Sequence, residues 1–236
     1  MKVIILAAGV GSRLGKTSPK TLTKLIDGKS ILQHQIEGLT KYINSKDIYI
    51  ILGYKKNMII NQFPNLSYFC NTNYKSTNTA KSLLIGLNEL QGHNILWING
   101  DVVFDHRVIK KMLDVEYSCM AVNKSKVGIE EVKYRTNNQG IIIEVSKEVV
   151  NSEGESVGIN KITIEDSKIL KKYLQECKDD SYFEKGIELA IFQNELTIKP
   201  VDISKFMCKE IDFISDLKLI NKEIVKYNNT SKIVKA

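Results

Sequence analysis

The sequence predicts an α/β protein: a mostly parallel mixed sheet flanked by helices, with a second half richer in β-structure. Three observations lead there. Runs of five or six apolar residues, the pattern of strands buried on both faces, alternate with stretches of helical period through the first half. The first of these runs stops in a glycine-rich turn and another stops at Asn99-Gly100-Asp101. Both therefore end where open α/β sheets take their ligands, beyond the carboxyl ends of the strands. From Tyr117 onward, shorter β-patterned segments and turn residues take over.

Taken in order, residues 2–7 form a continuous apolar strand, and Ser30 is the N-cap of a helix whose apolar face uses Ile31, Leu32, Ile36 and Leu39. Residues 47–52 make a second strand closed by Gly53. A short helix over 55–61 and a strand near 66–70 follow. Residues 79–90 have helical spacing through Leu83, Leu87 and Leu90, and 94–98 is a fully apolar strand. Strands are expected at 118–122, 131–136 and 140–146, the last two joined by a turn at Asn137-Asn138-Gln139-Gly140, and again at 156–164. Helices are expected at 166–177, 181–192 and 213–226, and the polar tail 228–236 is expected to fray. With no internal repeat, no low-complexity stretch and three prolines, residues 1–236 read as a single domain with halves 1–116 and 117–236.

Composition narrows the class. A hydrophobic fraction of 43% and a charged fraction of 26% are ordinary for a globular chain and exclude disorder, collagen and coiled coil. No window approaches the ~20 apolar residues of a membrane span, and the apolar start is too short for a signal peptide with a cleavage site. The net charge of +7 invites a nucleic-acid reading. However, all but three of the 34 basic residues are lysines spread along the chain, the arginines being Arg13, Arg107 and Arg135, and base or phosphate-fork recognition favours arginine. No nucleic-acid partner is expected. Cys70, Cys119, Cys177 and Cys208 are widely spaced and read as buried reduced thiols, which makes the protein cytoplasmic. His34, His93 and His106 are scattered, with no partner at nucleophile or metal spacing.

The segment that carries chemistry is Leu6-Ala7-Ala8-Gly9-Val10-Gly11-Ser12-Arg13-Leu14-Gly15, followed by Ser18-Pro19-Lys20. A glycine turn directly after a strand lets backbone N–H groups approach phosphate oxygens with no side chain between. Two familiar loops fail by one residue each. The dinucleotide-binding spacing needs glycine where Leu14 stands, and the Walker A spacing needs it at Val10. What fits is L-A-A-G-x-G-x-R-L-(x)n-P-K, through which the chain resembles the sugar-nucleotidyltransferase family, most closely its small cytidylyltransferase branch. The resemblance implies a Rossmann-like sheet of the GT-A-like nucleotidyltransferase architecture. The first half would bind nucleotide, and a β-rich second half would bind the acceptor.

The resemblance also implies roles. The backbone around Leu6, Ala8, Gly9, Val10, Gly11 and Ser12 would cradle an NTP, with Arg13 on its β- and γ-phosphates and Lys20 at the α-phosphate. Two fixed cations suit a transfer that spreads charge over phosphoryl oxygens. Asn71-x-x-Tyr74-x-x-Thr77-Asn78-x-x-x-Ser82-Leu83 matches a family stretch beside the base, making Asn78 and Ser82 cytosine contacts; Asn78 is equally a helix cap. Asp101, at the end of a buried strand, would hold Mg2+. Asp212, in Glu210-Ile211-Asp212, would be the second metal ligand, with Asp216 a surface or capping residue.

For the acceptor, the stretches comparable to the choline-binding parts of the branch read Ser76-Thr77-Asn78-Thr79 and Ser156-Val157-Gly158-Ile159-Asn160, without the aromatic residues that cation–π recognition requires. A polar, zwitterionic acceptor suits them better. The resemblance points to L-glutamine phosphate, joined to CTP in capsule or surface polysaccharide modification. Glu188 would bind the α-ammonium and Lys161 or Lys185 the carboxylate. Phosphocholine, a sugar 1-phosphate and non-catalytic nucleotide binding are the alternatives. A homodimer is expected from the family's late β-strands.

Overall fold

The structure, a computed structural model, describes residues 1–11, 14, 17–124, 128 and 131–233, with side chains described through residue 226. Its main sheet has nine strands: β1 (Lys2–Ala7), β2 (Ile48–Leu52), β3 (Ser67–Cys70), β4 (Ile95–Asn99), β6 (Cys119–Asn123), β7 (Lys133–Thr136), β8 (Ile142–Ser146), β9 (Gly154–Ile162) and β10 (Lys199–Asp202). The main path runs β10-β6-β9-β4-β1-β2-β3, and a β7–β8 hairpin joins through β9. The left side of β1 and its right side are both parallel, to β4 and to β2, while β9 is antiparallel to β4 and β6. This is the mixed, mostly parallel sheet that the alternation of apolar runs predicts.

The helices are α1 (Ile31–Leu39), α2 (Lys56–Gln62), α3 (Thr79–Glu89), α4 (His106–Leu113), α5 (Ile164–Glu176), α6 (Phe183–Phe192) and α7 (Ile214–Ile233). The period-2 rule sorts β1 between two cores. Ile4 and Leu6 pack with α3, α5 and α6, whereas Val3, Ile5 and Ala7 pack with α1, α2 and α4. Covering both faces is why the whole strand reads as apolar. A smaller cluster sets Ile220 and Ile224 of α7 against Leu14, Leu25 and Ile31, so the last helix closes over the segment that follows β1.

Several elements differ from expectation. Strand β5 (Val102–Phe104) and its antiparallel partner β11 (Cys208–Glu210) form a separate two-stranded sheet that the sequence did not reveal; three residues are too few for a period. Helix α4 also went unread, although Asp105 caps it by accepting from the Arg107 amide at 2.9 Å. Strand β10 is another addition, and α7 runs on to Ile233 rather than ending at 226. Residues 227–233 contain no glycine or proline to stop it. Of the four thiols, Cys119 and Cys177 are buried as expected, but Cys70 is exposed and Cys208 half-buried. The reason for Cys70 is its place on β3, the sheet's edge strand. Among the described residues no helix is long and apolar enough to cross a membrane.

Candidate active site

Residues Leu6 of β1 and Asn99 of β4 lie side by side in the parallel register, so the two strands deliver their following loops to one place. The Gly100 amide donates to the Leu6 carbonyl at 2.9 Å, and a Cβ on Gly100 would stand 2.6 Å from that same oxygen. Only glycine lets the chain turn there and aim Asp101 at the loop after β1. Between them opens a cavity of about 460 Å³.

Lys20 enters this cavity from a one-turn 3-10 helix (Lys20–Leu22) that begins after Pro19. Gly11 lies over it with φ +63°, and a Cβ there would fall 2.5 Å from Lys20 Cβ. Both the backbone angle and the space therefore demand glycine. Lys20 Nζ donates to Asp101 Oδ2 and to Asp212 Oδ1, each at 2.6 Å. Burial pulls its pKa down, but the two carboxylates more than offset this and raise it, so Lys20 is a permanent cation.

Asp212 reaches Asp101 through the β5–β11 pairing, in which Glu210 stands opposite Val102, and the Ile211 amide donates to the Asp101 carbonyl at 3.1 Å. Asp216 fixes the turn by accepting from the Asp212 and Phe213 amides at 3.1 and 2.8 Å, the capping role expected of it. Glu210 accepts from Asn99 Nδ2 at 2.9 Å. Burial, with Asp101's charge beside it, holds its carboxyl well above the ordinary range. Gly158, φ +70°, leaves the space for that bond, since a Cβ there would lie 2.6 Å from Asn99 Nδ2.

The fit to Mg2+ can be judged from Asp101. Its Oδ1 is buried in the cavity wall with no hydrogen-bond partner, while Oδ2 meets a cation. A buried carboxylate oxygen without a donor is a position a divalent ion satisfies. Asp101 thus offers an open oxygen to a metal ion, with the Asp212 carboxylate on the other side of Lys20; among the described residues no group of three or more His, Cys, Asp or Glu is placed to hold a metal.

Of the remaining expected residues, Leu6, Gly9, Gly11 and Asn78 line the cavity, whereas Ala8 and Val10 do not. Ala8 is buried, its carbonyl accepting from Tyr54, and Val10 is exposed. Ser12 and Arg13 lie outside the described residues. Asn78 both lines the cavity and caps α3, its Oδ1 accepting from the Thr79 amide at 2.8 Å and its Nδ2 donating to the Asp180 carbonyl at 3.2 Å. Ser82 is buried behind it and accepts from Asn71 Nδ2 at 3.0 Å. It braces the loop and does not face the cavity.

The three acceptor residues read from the sequence are not brought to the cavity. Lys161 lies toward the far end of β9, because β9 runs antiparallel to β4, and its buried ammonium donates to the Val115 carbonyl. Burial holds its pKa below the usual range. Lys185 and Glu188 pair with each other at 2.7 Å on the outer side of α6. The same helix does reach the cavity, but at its start. At its first turn Tyr182 and Glu184 line the cavity, joined by Glu131, Lys147 and Ser156. Lys147 Nζ lies 5.6 Å from the Tyr182 ring centroid. Burial pushes Glu184 up to about 7. It also raises Glu131, assisted by Asp212's charge. Phe183 instead packs edge-on against Trp97 at 5.6 Å, away from the cavity.

A mixed sheet of this order, with a glycine loop after β1 and an aspartate after β4 on one cavity, defines the class of nucleotidyltransferases with a GT-A-like fold. The match of residues 3–140 to the MobA-like NTP transferase domain places the chain in that family. The chain is 26% identical to the CTP:phosphoglutamine cytidylyltransferase of Campylobacter jejuni subsp. jejuni serotype O:2, across 93% of this chain and 98% of that one. It is 31% identical, over 69% of its length, to the bifunctional protein GlmU of Methanococcus maripaludis, and spans only 40% of that longer protein. Among solved structures, the fold is similar to the CTP:phosphocholine cytidylyltransferase from Streptococcus pneumoniae, with TM-score 0.77 and 20% identity over 94% of this chain and 98% of that one. It is similar also to the inositol-1-phosphate CTP transferase from T. maritima, with TM-score 0.75 and 18% identity over 91% and 90%.

Proposed function

We propose that the protein is a cytoplasmic, Mg2+-dependent cytidylyltransferase that joins CTP to L-glutamine phosphate, giving a CDP-linked product of the kind used in surface polysaccharide modification. The observation that carries this reading is the single cavity in which Lys20 meets Asp101 and Asp212 near the glycine loop, while Glu184 and Lys147 face the same space. The 26% identity to the phosphoglutamine enzyme over nearly both whole chains supports the acceptor.

In this reading an oxygen of the acceptor phosphate attacks the α-phosphorus of CTP. One P–O bond forms, the bond from the α-phosphorus to the bridging oxygen breaks, and pyrophosphate leaves with the electron pair. The acceptor phosphate is already ionised near neutral pH, so no general base is required. Mg2+, held by Asp101 and Asp212, would neutralise phosphate charge. Gly9 and Gly11 present backbone to the phosphates, and Lys20 sits as a preorganised cation where charge develops. Arg13 is assigned to the departing phosphates. Asn78 Nδ2 has a second N–H beyond the one given to Asp180, which can donate to the cytosine carbonyl.

The test is pyrophosphate release with each of four NTPs against phosphorylated amino acids, phosphocholine and sugar 1-phosphates. The expected result is turnover with CTP and L-glutamine phosphate, at least ~10-fold better in kcat/KM than with phosphocholine, about 1.4 kcal/mol of discrimination. Preference for a sugar 1-phosphate or for another NTP would refute the assignment.

A further inference from the structure

Two carboxylates among the described residues belong to side chains more than nine-tenths buried, Asp105 and Glu184, both 7% exposed. Their surroundings differ. Asp105 is bound by the Arg107 guanidinium through contacts of 2.5 to 3.1 Å and caps α4 as well. No side chain among the described residues donates to the Glu184 carboxylate or forms an ion pair with it. Its own backbone amide is the one donor that lowers its pKa, and Lys147 acts on it only through charge. A buried acid without a cation is costly to keep. Favouring the helix dipole does not explain it, because an acid in the first turn of α6 serves the dipole equally well from the surface. What Glu184 does face is the cavity.

We infer that Glu184 is the specificity residue for the acceptor's ammonium group, so that the cavity selects acceptors carrying a primary amine. This rests on the reading that a phosphorylated acceptor attacks CTP in this cavity. The chemistry of the neighbours agrees. The Tyr182 ring lines the same cavity, with Lys147 Nζ already 5.6 Å from its centroid. Lys147 lines the cavity too, so a zwitterion finds an anion for its amine and a cation for its carboxylate. A primary ammonium brings three N–H donors to a carboxylate that lacks them. A trimethylammonium group brings none and leaves the carboxylate's hydrogen-bonding capacity unused. Loss of a hydrogen-bonded group from a site built to receive it discriminates more strongly than loss of an apolar one.

The experiment compares kcat/KM, at saturating CTP, for L-glutamine phosphate and for its des-amino analogue, in the wild-type protein and in Glu184→Gln and Glu184→Asp. Wild type is expected to prefer the amine at least 30-fold, mainly through KM. Glu184→Gln, which keeps size and shape, is expected to bring that ratio to between 1 and 3, and Glu184→Asp to restore part of it. Equal use of both compounds by the wild type overturns the inference alone. A parallel fall for both compounds in Glu184→Gln, with the ratio intact, also overturns it, since the residue would then act on the transfer step or on folding. Turnover of neither compound, with another acceptor class used instead, overturns the acceptor reading and this inference together.

Discussion

Lys20 is the residue on which the site's electrostatics turn. Its ammonium bridges Asp101 and Asp212 and offsets the repulsion between two acids held close together. A cation so placed contributes most when negative charge builds on the α-phosphoryl oxygens. Lys20→Ala should therefore lower kcat more than it raises KM for CTP, by ~2–4 kcal/mol in the barrier. A change in KM alone would make Lys20 a ground-state clamp. Glu184 makes the opposite kind of prediction, about stability. Its carboxyl titrates near 7 in the folded protein and near 4.3 when unfolded. Below the lower value both states are protonated and burial carries no ionic penalty. As pH rises through that interval the folded state must either keep the proton or bury a charge, and stability falls until about pH 7. Glu184→Gln should accordingly be more stable than wild type at pH 8, by up to about 4 kcal/mol, and little different at pH 4.5. Thermal melts at the two pH values check this; equal differences at both would mean that Glu184 has a partner.

At the scale of elements, what could be read in the sequence follows from what is contiguous. Strand β1 and its glycine turn, the Ser30 cap of α1 and the Asn99-Gly100-Asp101 stop are each written in adjacent residues, and local chemistry dictates them. The β5–β11 pair is not, because its strands have three residues each and are a hundred positions apart. Yet this pair brings Asp212 to Asp101, so the two carboxylates proposed for the metal could be paired only through the resemblance of Glu210-Ile211-Asp212 to a motif. The expected acceptor residues miss the cavity for a related reason. Lys161, Lys185 and Glu188 carry suitable charge, but strand direction sends the first away from the cavity and the surface of α6 claims the other two. Glu184, in a helix's first turn, looks like an ordinary dipole partner until packing shows it buried. The Asp216 turn offers a test at this scale. Asp216→Ala releases the Asp212 and Phe213 amides, and should cost about 1 kcal/mol of stability, as loss of a cap does. It should also raise the Mg2+ concentration for half-maximal activity severalfold; an unchanged Mg2+ requirement would detach Asp216 from the site.

The whole molecule is a sheet covered on both faces, which leaves its carboxyl-terminal edge as the place where loops, rather than packing, decide chemistry. The net charge of +7 surrounds a cavity whose own side chains include Asp101, Glu131, Glu184, Glu210 and Asp212. On the proposed function, anionic CTP would be drawn by the overall field, while the acids inside would meet a metal ion and the ammonium of the acceptor. The central claim, cytidylyl transfer to an amine-bearing phosphate, is tested most directly by the 31P spectrum of the purified protein with CTP, Mg2+ and L-glutamine phosphate. The expected spectrum shows the CTP signals replaced by pyrophosphate and a new two-phosphorus linkage joining CMP to the acceptor phosphate, and EDTA abolishes the change. CMP and pyrophosphate with the acceptor untouched, or no reaction with CTP while UTP and a sugar 1-phosphate react, would contradict it.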